Sequence, residues 1–203
     1  MRPFSRILVL TAVCSLPAQV IEFESGGLQY QTLTKNGLTV MFAHLPTNVR
    51  EFSILQLAVS NGSGITHAIK PEDCVFEIKE GTALKAIPAR KVVDSLIEKA
   101  SRNDVIRMVS TYELGLYGLS RFKSTNGYEQ RRQSALAEVG SGRLKAAAAA
   151  SAIAFVSTKL VPGQSTDGAV FFFTAGKPSG PGRLVVRVSG EVFEFNPDHG
   201  FTN

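Results

Sequence analysis

The sequence predicts a β-sandwich split by an α-helical insertion, α+β overall, and three observations carry that prediction. Short apolar runs of period two fill residues 28–78 and return at 161–195. Between them lies a long alanine-rich stretch with helical spacing. The two β-halves, 26–88 and 156–196, supply 104 positions; a seven-strand sandwich takes about 100.

The N-terminus has the composition of an export signal. Arg2 and Arg6 precede the apolar run Ile7–Leu16, and Pro17-Ala18 adds a helix break and a small residue. Residues 1–18 are therefore read as a signal peptide and the mature chain as periplasmic or secreted; the competing reading of the same run is a first buried strand. Leu16 is larger than the residue preferred at that point, so the cut site stays open. Val13 stands where a small residue precedes a lipidated cysteine, which argues against modification of Cys14. No run reaches the roughly 20 apolar residues of a spanning helix, since Ala146–Thr158 is bracketed by Lys145 and Lys159. Without the signal only Cys74 remains, so no intramolecular disulfide forms. In Asp73-Cys74-Val75-Phe76-Glu77 it has the surroundings of a small buried hydrophobe.

In the first β-half, Leu28–Thr34 is an opening strand of weak alternation. Leu38, Val40 and Phe42 alternate with Thr39, Met41 and Ala43 up to the break at Pro46-Thr47-Asn48. Phe52–Ser60 offers Leu55, Leu57 and Val59 on its more apolar face, which is expected to meet the core. Ile54, Gln56 and Ala58 take the other face. Asn61-Gly62-Ser63-Gly64 turns the chain, Ile65–Ile69 returns, and Cys74–Ile78 follows Pro71-Glu72-Asp73.

The insertion, 89–155, is predicted to be a helical hairpin projecting from the sandwich. Val92, Val93, Leu96, Ile97 and Ala100 recur at helix spacing, and Val105, Ile106, Val109 and Tyr112 continue the series. Thirty residues of unbroken helix would reach about 45 Å, and Ser101–Asp104 is the expected division. Asn126-Gly127-Tyr128-Glu129 resembles a capped start with Glu three positions on, and a further helix begins near Leu144. Ala146–Ala150 suits close helix packing or a smooth face for self-association. Insertions on rigid scaffolds carry function, and aromatic residues anchor interfaces. Tyr112, Tyr117, Phe122 and Tyr128 are accordingly the candidate partner contacts, with closure of the hairpin core as their other use. In the second β-half, Pro162-Gly163 and Asp167-Gly168 are read as turns. Leu184–Val188 and Val192–Phe195 form a closing hairpin around Ser189-Gly190-Glu191, and 197–203 is a tail.

These strand and turn residues carry a resemblance. Leu57-Ala58-Val59-Ser60-Asn61-Gly62-Ser63, then Ile69-Lys70-Pro71-Glu72-Asp73-Cys74-Val75-Phe76, is similar to a group of bacterial exported immunoglobulin-like domains. In that group a V-x-N-x-(S/G) strand end precedes an (I/V)-x-P-x-D-F turn. Leu160-Val161-Pro162-Gly163 through Gly168-Ala169-Val170-Phe171-Phe172 resembles its later L-x-P-G-x-x-x-x-G-x-V-x-F pattern. Cys74 replaces the usual Phe, and the long insert is a departure. The likeness covers about half of the chain; it implies an immunoglobulin-like sandwich and no particular activity.

Charge and chemistry narrow the function. The net charge of +5 falls to +3 without Arg2 and Arg6, with 20 basic against 17 acidic side chains. These are too scattered for the basic stripe of a nucleic-acid binder. His44, His67 and His199 share no metal-ligand spacing and no cysteine pair accompanies them. Gly163-Gln164-Ser165 lacks the nucleophile-elbow spacing, and Gly140–Lys145 lacks that of a phosphate loop. The expectation is a protein without cofactor, metal or catalysis that binds another envelope or secreted protein. Self-assembly through the alanine-rich hairpin is the second reading, and a hydrolase or metal enzyme using His44 or His67 the third.

Overall fold

A computed structural model describes residues 19–46, 48–78, 81–99, 101–118, 124, 127–137, 142–176 and 182–196. The predicted signal (1–18), the tail (197–203), Asn126 and Phe122 lie outside the described residues. The strands are β1 (Ile21–Ser25), β2 (Leu28–Lys35), β3 (Leu38–His44), β4 (Phe52–Asn61), β5 (His67–Ile69), β6 (Cys74–Ile78) and β7 (Ala83–Ile87), then β8 (Thr158–Leu160), β9 (Ser165–Phe173), β10 (Gly182–Val188) and β11 (Glu191–Phe195). Between β7 and β8 run the helices α1 (Ala89–Lys99), α2 (Arg102–Gly118), α3 (Tyr128–Ala137) and α4 (Gly142–Ile153). The chain is mostly β, a large curled antiparallel sheet with helices added.

The sheet is ordered β1-β2-β3-β4-β9-β7-β6-β10-β11, and β5 pairs with β8 beside it. Two-residue turns set its hairpins. Asn36-Gly37 (φ 48° and 79°) joins β2 to β3, and Ser189-Gly190 (φ 48° and 93°) joins β10 to β11. Left-handed φ at both central positions matches the twist of the flanking strands. β7 turns the corner: Ala83–Lys85 pair with β6, and Ala86 and Ile87 pair with β9. The β6–β10–β11 half thereby folds over the β2–β3–β4–β9 half.

Between the halves lies the first core. Leu33, Val40, Phe42, Leu57 and Phe172 meet Phe76, Val186, Phe193 and Phe195. Phe42 meets Phe195 edge-on at 5.0 Å and Phe76 meets Phe172 at 6.5 Å, an arrangement the ring quadrupoles favour. Cys74 is buried here, and burial pushes its thiol well above the ordinary range. As expected, Leu55, Leu57 and Val59 face this core.

The opposite face of β4 is covered as well, and this corrects the projecting hairpin. Leu28, Tyr30, Ile54, Ala169 and Phe171 pack against Val92, Leu96, Val105, Met108, Tyr112, Ala150 and Ile153 in a second core. Three layers result: half-sheet, half-sheet, helices. The helices cannot project, because their apolar sides and the second sheet face would both stand in water. α1 and α2 are separate as anticipated. Ser101 Oγ and Asp104 Oδ2 lie 2.6 Å apart, and Asp104 N donates back to Ser101 Oγ at 3.2 Å, a reciprocal cap on α2.

Asp167-Gly168 is not a turn. Both residues lie inside β9, opposite Ala58 and Leu57. A Cβ on Gly168 would fall 2.4 Å from Phe155 Cα, so this glycine serves close approach rather than chain reversal. Phe155 N donates to Ala169 O at 2.9 Å there, fastening the chain beyond α4 to the sheet. No helix among the described residues is long and apolar enough to cross a membrane.

Candidate functional site

Polar side chains gather in three clusters. The first is a seam between sheet and helices. Opposed residues of antiparallel strands share a face, so Gln56 with Ala169, and Ala58 with Asp167, point toward the helices, as does Tyr30 opposite Ala43. Asp167 is 1% exposed. Its carboxylate accepts a hydrogen bond from the Tyr112 hydroxyl of α2 and one from Ser124, with the Arg131 guanidinium of α3 nearby. Burial raises the Asp167 pKa; the bonds from Ser124 and Tyr112 and the charge of Arg131 work the other way without cancelling it. Burial and the neighbouring Asp167 also raise the Tyr112 hydroxyl well above its ordinary value.

The seam extends on both sides. Tyr128 OH donates to Glu113 Oε1 at 2.5 Å, and Arg131 Nη2 donates to Ala152 O at 2.9 Å, tying α3 to α2 and α4. Tyr30 OH donates to Gln56 Oε1 at 2.8 Å. Gly115 sits on that pair: a Cβ there would lie 2.5 Å from Gln56 Oε1 and 2.7 Å from Tyr30 Oη. α2 can approach so closely only because residue 115 has no side chain. Burial, with Asp167 adding to it, raises the Tyr30 hydroxyl too. Chemically, the seam is a set of hydrogen bonds in which Tyr112–Asp167 joins a helix to a strand, while those of Tyr128, Arg131 and Tyr30 tie helix to helix or strand to strand.

The second cluster closes the turn after β4. Asn61 Nδ2 donates to Ile65 O and Leu160 O, each at 2.8 Å, and Asn61 Oδ1 accepts from Ser63 N at 3.0 Å and Ser63 Oγ at 2.7 Å. Ser63 Oγ also lies 2.9 Å from His67 Nε2. His67 Nδ1 is buried without a hydrogen-bond partner. A bare acceptor there is cheaper than a bare N–H, which puts the imidazole hydrogen on Nε2. His67 then donates to Ser63, and Ser63 donates to Asn61. The serine proton points away from the histidine, opposite to the direction in which a base would activate a nucleophile. Gly62 and Gly64 do not take left-handed φ; side-chain bonds, not glycine conformations, hold this turn.

The third is His44, whose Nε2 lies 3.2 Å from Ser53 Oγ at the end of β3. Burial lowers its pKa to about 4. Among the described residues no group of three or more His, Cys, Asp or Glu side chains is placed to hold a metal ion.

The candidate partner contacts are placed differently from the expectation. Tyr112 is 0% and Tyr128 4% exposed, with ring centroids 5.7 Å apart. Neither is an exposed anchor: both rings are buried and each hydroxyl is spent on a carboxylate of a neighbouring element. Phe122 and the Tyr117 side chain lie outside the described residues. Sequence reasoning missed Asp167 and Gln56. The available signal was their parity: a polar residue inside the less apolar face of each strand, apart from Ser60 and Ser165 near the strand ends.

No protein-family model, no curated protein and no solved structure matches this chain.

Proposed function

We propose that the protein is an exported, non-catalytic binding module that engages another envelope or secreted protein through its helical layer, on an immunoglobulin-like sandwich. One observation carries the reading. The chemically versatile side chains of the three clusters are turned inward and bonded to one another, whereas the helical layer exposes large aliphatic side chains, among them Ile97 and Leu144. The arginine-led apolar run at the N-terminus supports export. The alanine stripe gives self-assembly less support, since Ala147, Ala150 and Ala152 are already buried within the chain.

The test is site-specific photo-cross-linking in cells. Deleting 89–155 would uncover the second sheet face, so point insertions serve better. With the cross-linker at 97 or 144, discrete adducts are expected in the envelope fraction, with none at Glu194 on β11. Residence in the cytoplasm, or substrate turnover lost on changing a few polar residues, overturns the proposal.

A further inference from the structure

The outer side of α2 combines exposed aliphatic side chains with arginines. Val105, Met108 and Tyr112 hold the helix against the sheet. On the other side Arg102, Ile106, Ser110 and Leu114 follow at successive four-residue steps, and all four are exposed. Such residues form one row along a helix. Ile106 is 50% and Leu114 59% exposed, and the exposed Arg107 flanks them. The carboxylates of this helix are engaged elsewhere: Asp104 caps its start through Ser101, and Glu113 accepts from Tyr128. With Arg107 beside it, the row presents two arginines and two aliphatic side chains, while the two carboxylates of this helix are held by Ser101 and Tyr128.

The charge of the whole chain points the same way. Residues 89–155 carry 11 basic against 6 acidic side chains, a net of +5, while the rest of 19–203 carries 9 against 11, a net of −2. Among the described side chains, 89–155 carries six basic against four acidic, so the described part of the helical layer is net positive and is drawn toward a negative surface before any contact is made. We propose that the Arg102–Ile106–Ser110–Leu114 row of α2 is a docking surface for an anionic phospholipid bilayer. Ile106 and Leu114 enter the headgroup boundary while Arg102 and Arg107 meet lipid phosphates. At this row a protein partner is the poorer fit, because protein hot spots add Trp or Tyr to Arg and the row has neither. Aliphatic side chains rimmed by arginine are the composition of an interfacial helix. This inference stands apart from the identity of any protein partner and from export.

The test uses the full chain and reads position rather than bulk binding, so that the apolar N-terminal run does not decide the result. In a Cys14→Ser background, with Cys74 buried, a spin label is placed through Ser110→Cys or, as the control, through Thr82→Cys in the turn before β7. Phosphatidylglycerol vesicles are expected to immerse the label at 110 and leave the label at 82 in water, and pure phosphatidylcholine vesicles to immerse neither. Each interfacial cation is worth about fivefold in binding. Arg102→Glu with Arg107→Glu is thus expected to cut the immersed fraction at 110 at least tenfold, and 1 M NaCl to act likewise. Ile106→Ser with Leu114→Ser is the second variant, also on the exposed side and also expected to release the label. A label at 110 that stays in water, equal immersion at 110 and 82, or indifference to both double variants overturns the proposal. Immobilisation at 110 by polyglutamate with none by vesicles overturns it too, and assigns the face to an acidic protein.

Discussion

The two faces of the β2–β3–β4–β9 half-sheet are both buried, yet they are closed by different means. The face covered by β6, β10 and β11 is apolar through its middle and gathers polar side chains toward its two ends. His44 and Ser53 sit at one end, and Asn61, Ser63 and His67 at the other. The face covered by helices carries polar side chains through its interior, with Asp167, Gln56 and Tyr30 among Ile54, Phe171 and Leu28. A turn at the rim can satisfy its own polar groups from nearby backbone, as Asn61 does. An interior group needs a partner at one position only, from the opposing layer for Asp167 and from a strand of the same sheet for Gln56. The first face is thus held by shape, the second by shape plus a few bonds that specify how the helices lie.

The largest expected effect comes from removing shape. Phe172→Ala empties a site in the middle of the first core and is expected to cost about 3–5 kcal/mol, measured by urea denaturation. Gly168→Ala tests the same face by the opposite route, since Gly168 opposes Leu57: its methyl meets Phe155 backbone, and the chain beyond α4 must move. If Phe172→Ala cost under 1 kcal/mol, the first core would not be held by packing.

Next come the bonds. Asp167→Ala strands the buried Tyr112 hydroxyl and is expected to cost about 1–3 kcal/mol. The loss should be local: amide exchange in Val105–Tyr112 accelerates, while that of β6 and β10 stays near wild type. Equal acceleration in both layers would break the distinction between the faces.

Much of the first face was legible because its determinants are local. Leu55, Leu57 and Val59 alternate cleanly, and Ser189-Gly190 marks its own hairpin. The second face is a tertiary fact. Ile54, Gln56 and Ala58 look like a weakly apolar outer side until helices some 40 residues later cover them. Asp-Gly is a strong turn signal, yet at 167–168 the carboxylate is bonded to Tyr112 and the glycine makes room for Phe155, so context overrides propensity. The tyrosines failed as anchors for the same reason, since nothing near Tyr112 in sequence announces Asp167, 55 positions on. β1 and β7 went unread too: Ala83–Ile87 has one β-branched residue and no aromatic, a weak strand signal, and pairs with β6 and β9 where the sheet bends.

Titration separates the faces by sign. His44, opposite Leu55 on the first face, has its pKa lowered to about 4. As pH falls from 6.5, the unfolded histidine gains a proton that the folded one resists, so native stability is lost down to about pH 4. Asp167, on the second face, has its pKa raised. From the ordinary carboxylate range up to that raised value, the folded protein keeps a proton that the unfolded chain has released. Its contribution is full at low pH and is lost as pH rises. In denaturation midpoints taken from pH 4 to 7, His44→Gln is expected to remove an acid-side loss, and Asp167→Asn to remove a loss that runs the other way. Slopes that change in the same direction would show that one of the two groups is not in the environment described.

The smallest expected effect tests the rim. Ser63→Ala removes one hydroxyl, but Asn61 Oδ1 keeps its bond from the backbone N of residue 63, and Asn61 Nδ2 keeps both carbonyls. The cost is expected to be about 1 kcal/mol, mostly from the acceptor that His67 Nε2 loses, and at the low end of the Asp167→Ala range because Asn61 retains its other partners. The same serine also decides between a turn lock and a nucleophile. With its proton directed to Asn61 rather than to His67, Ser63 is expected to stay unlabelled by a fluorophosphonate probe under conditions that label an activated serine. Labelling that disappears in Ser63→Ala would mean that the proton points the other way, and that the end of the first face is a reactive site rather than a closure.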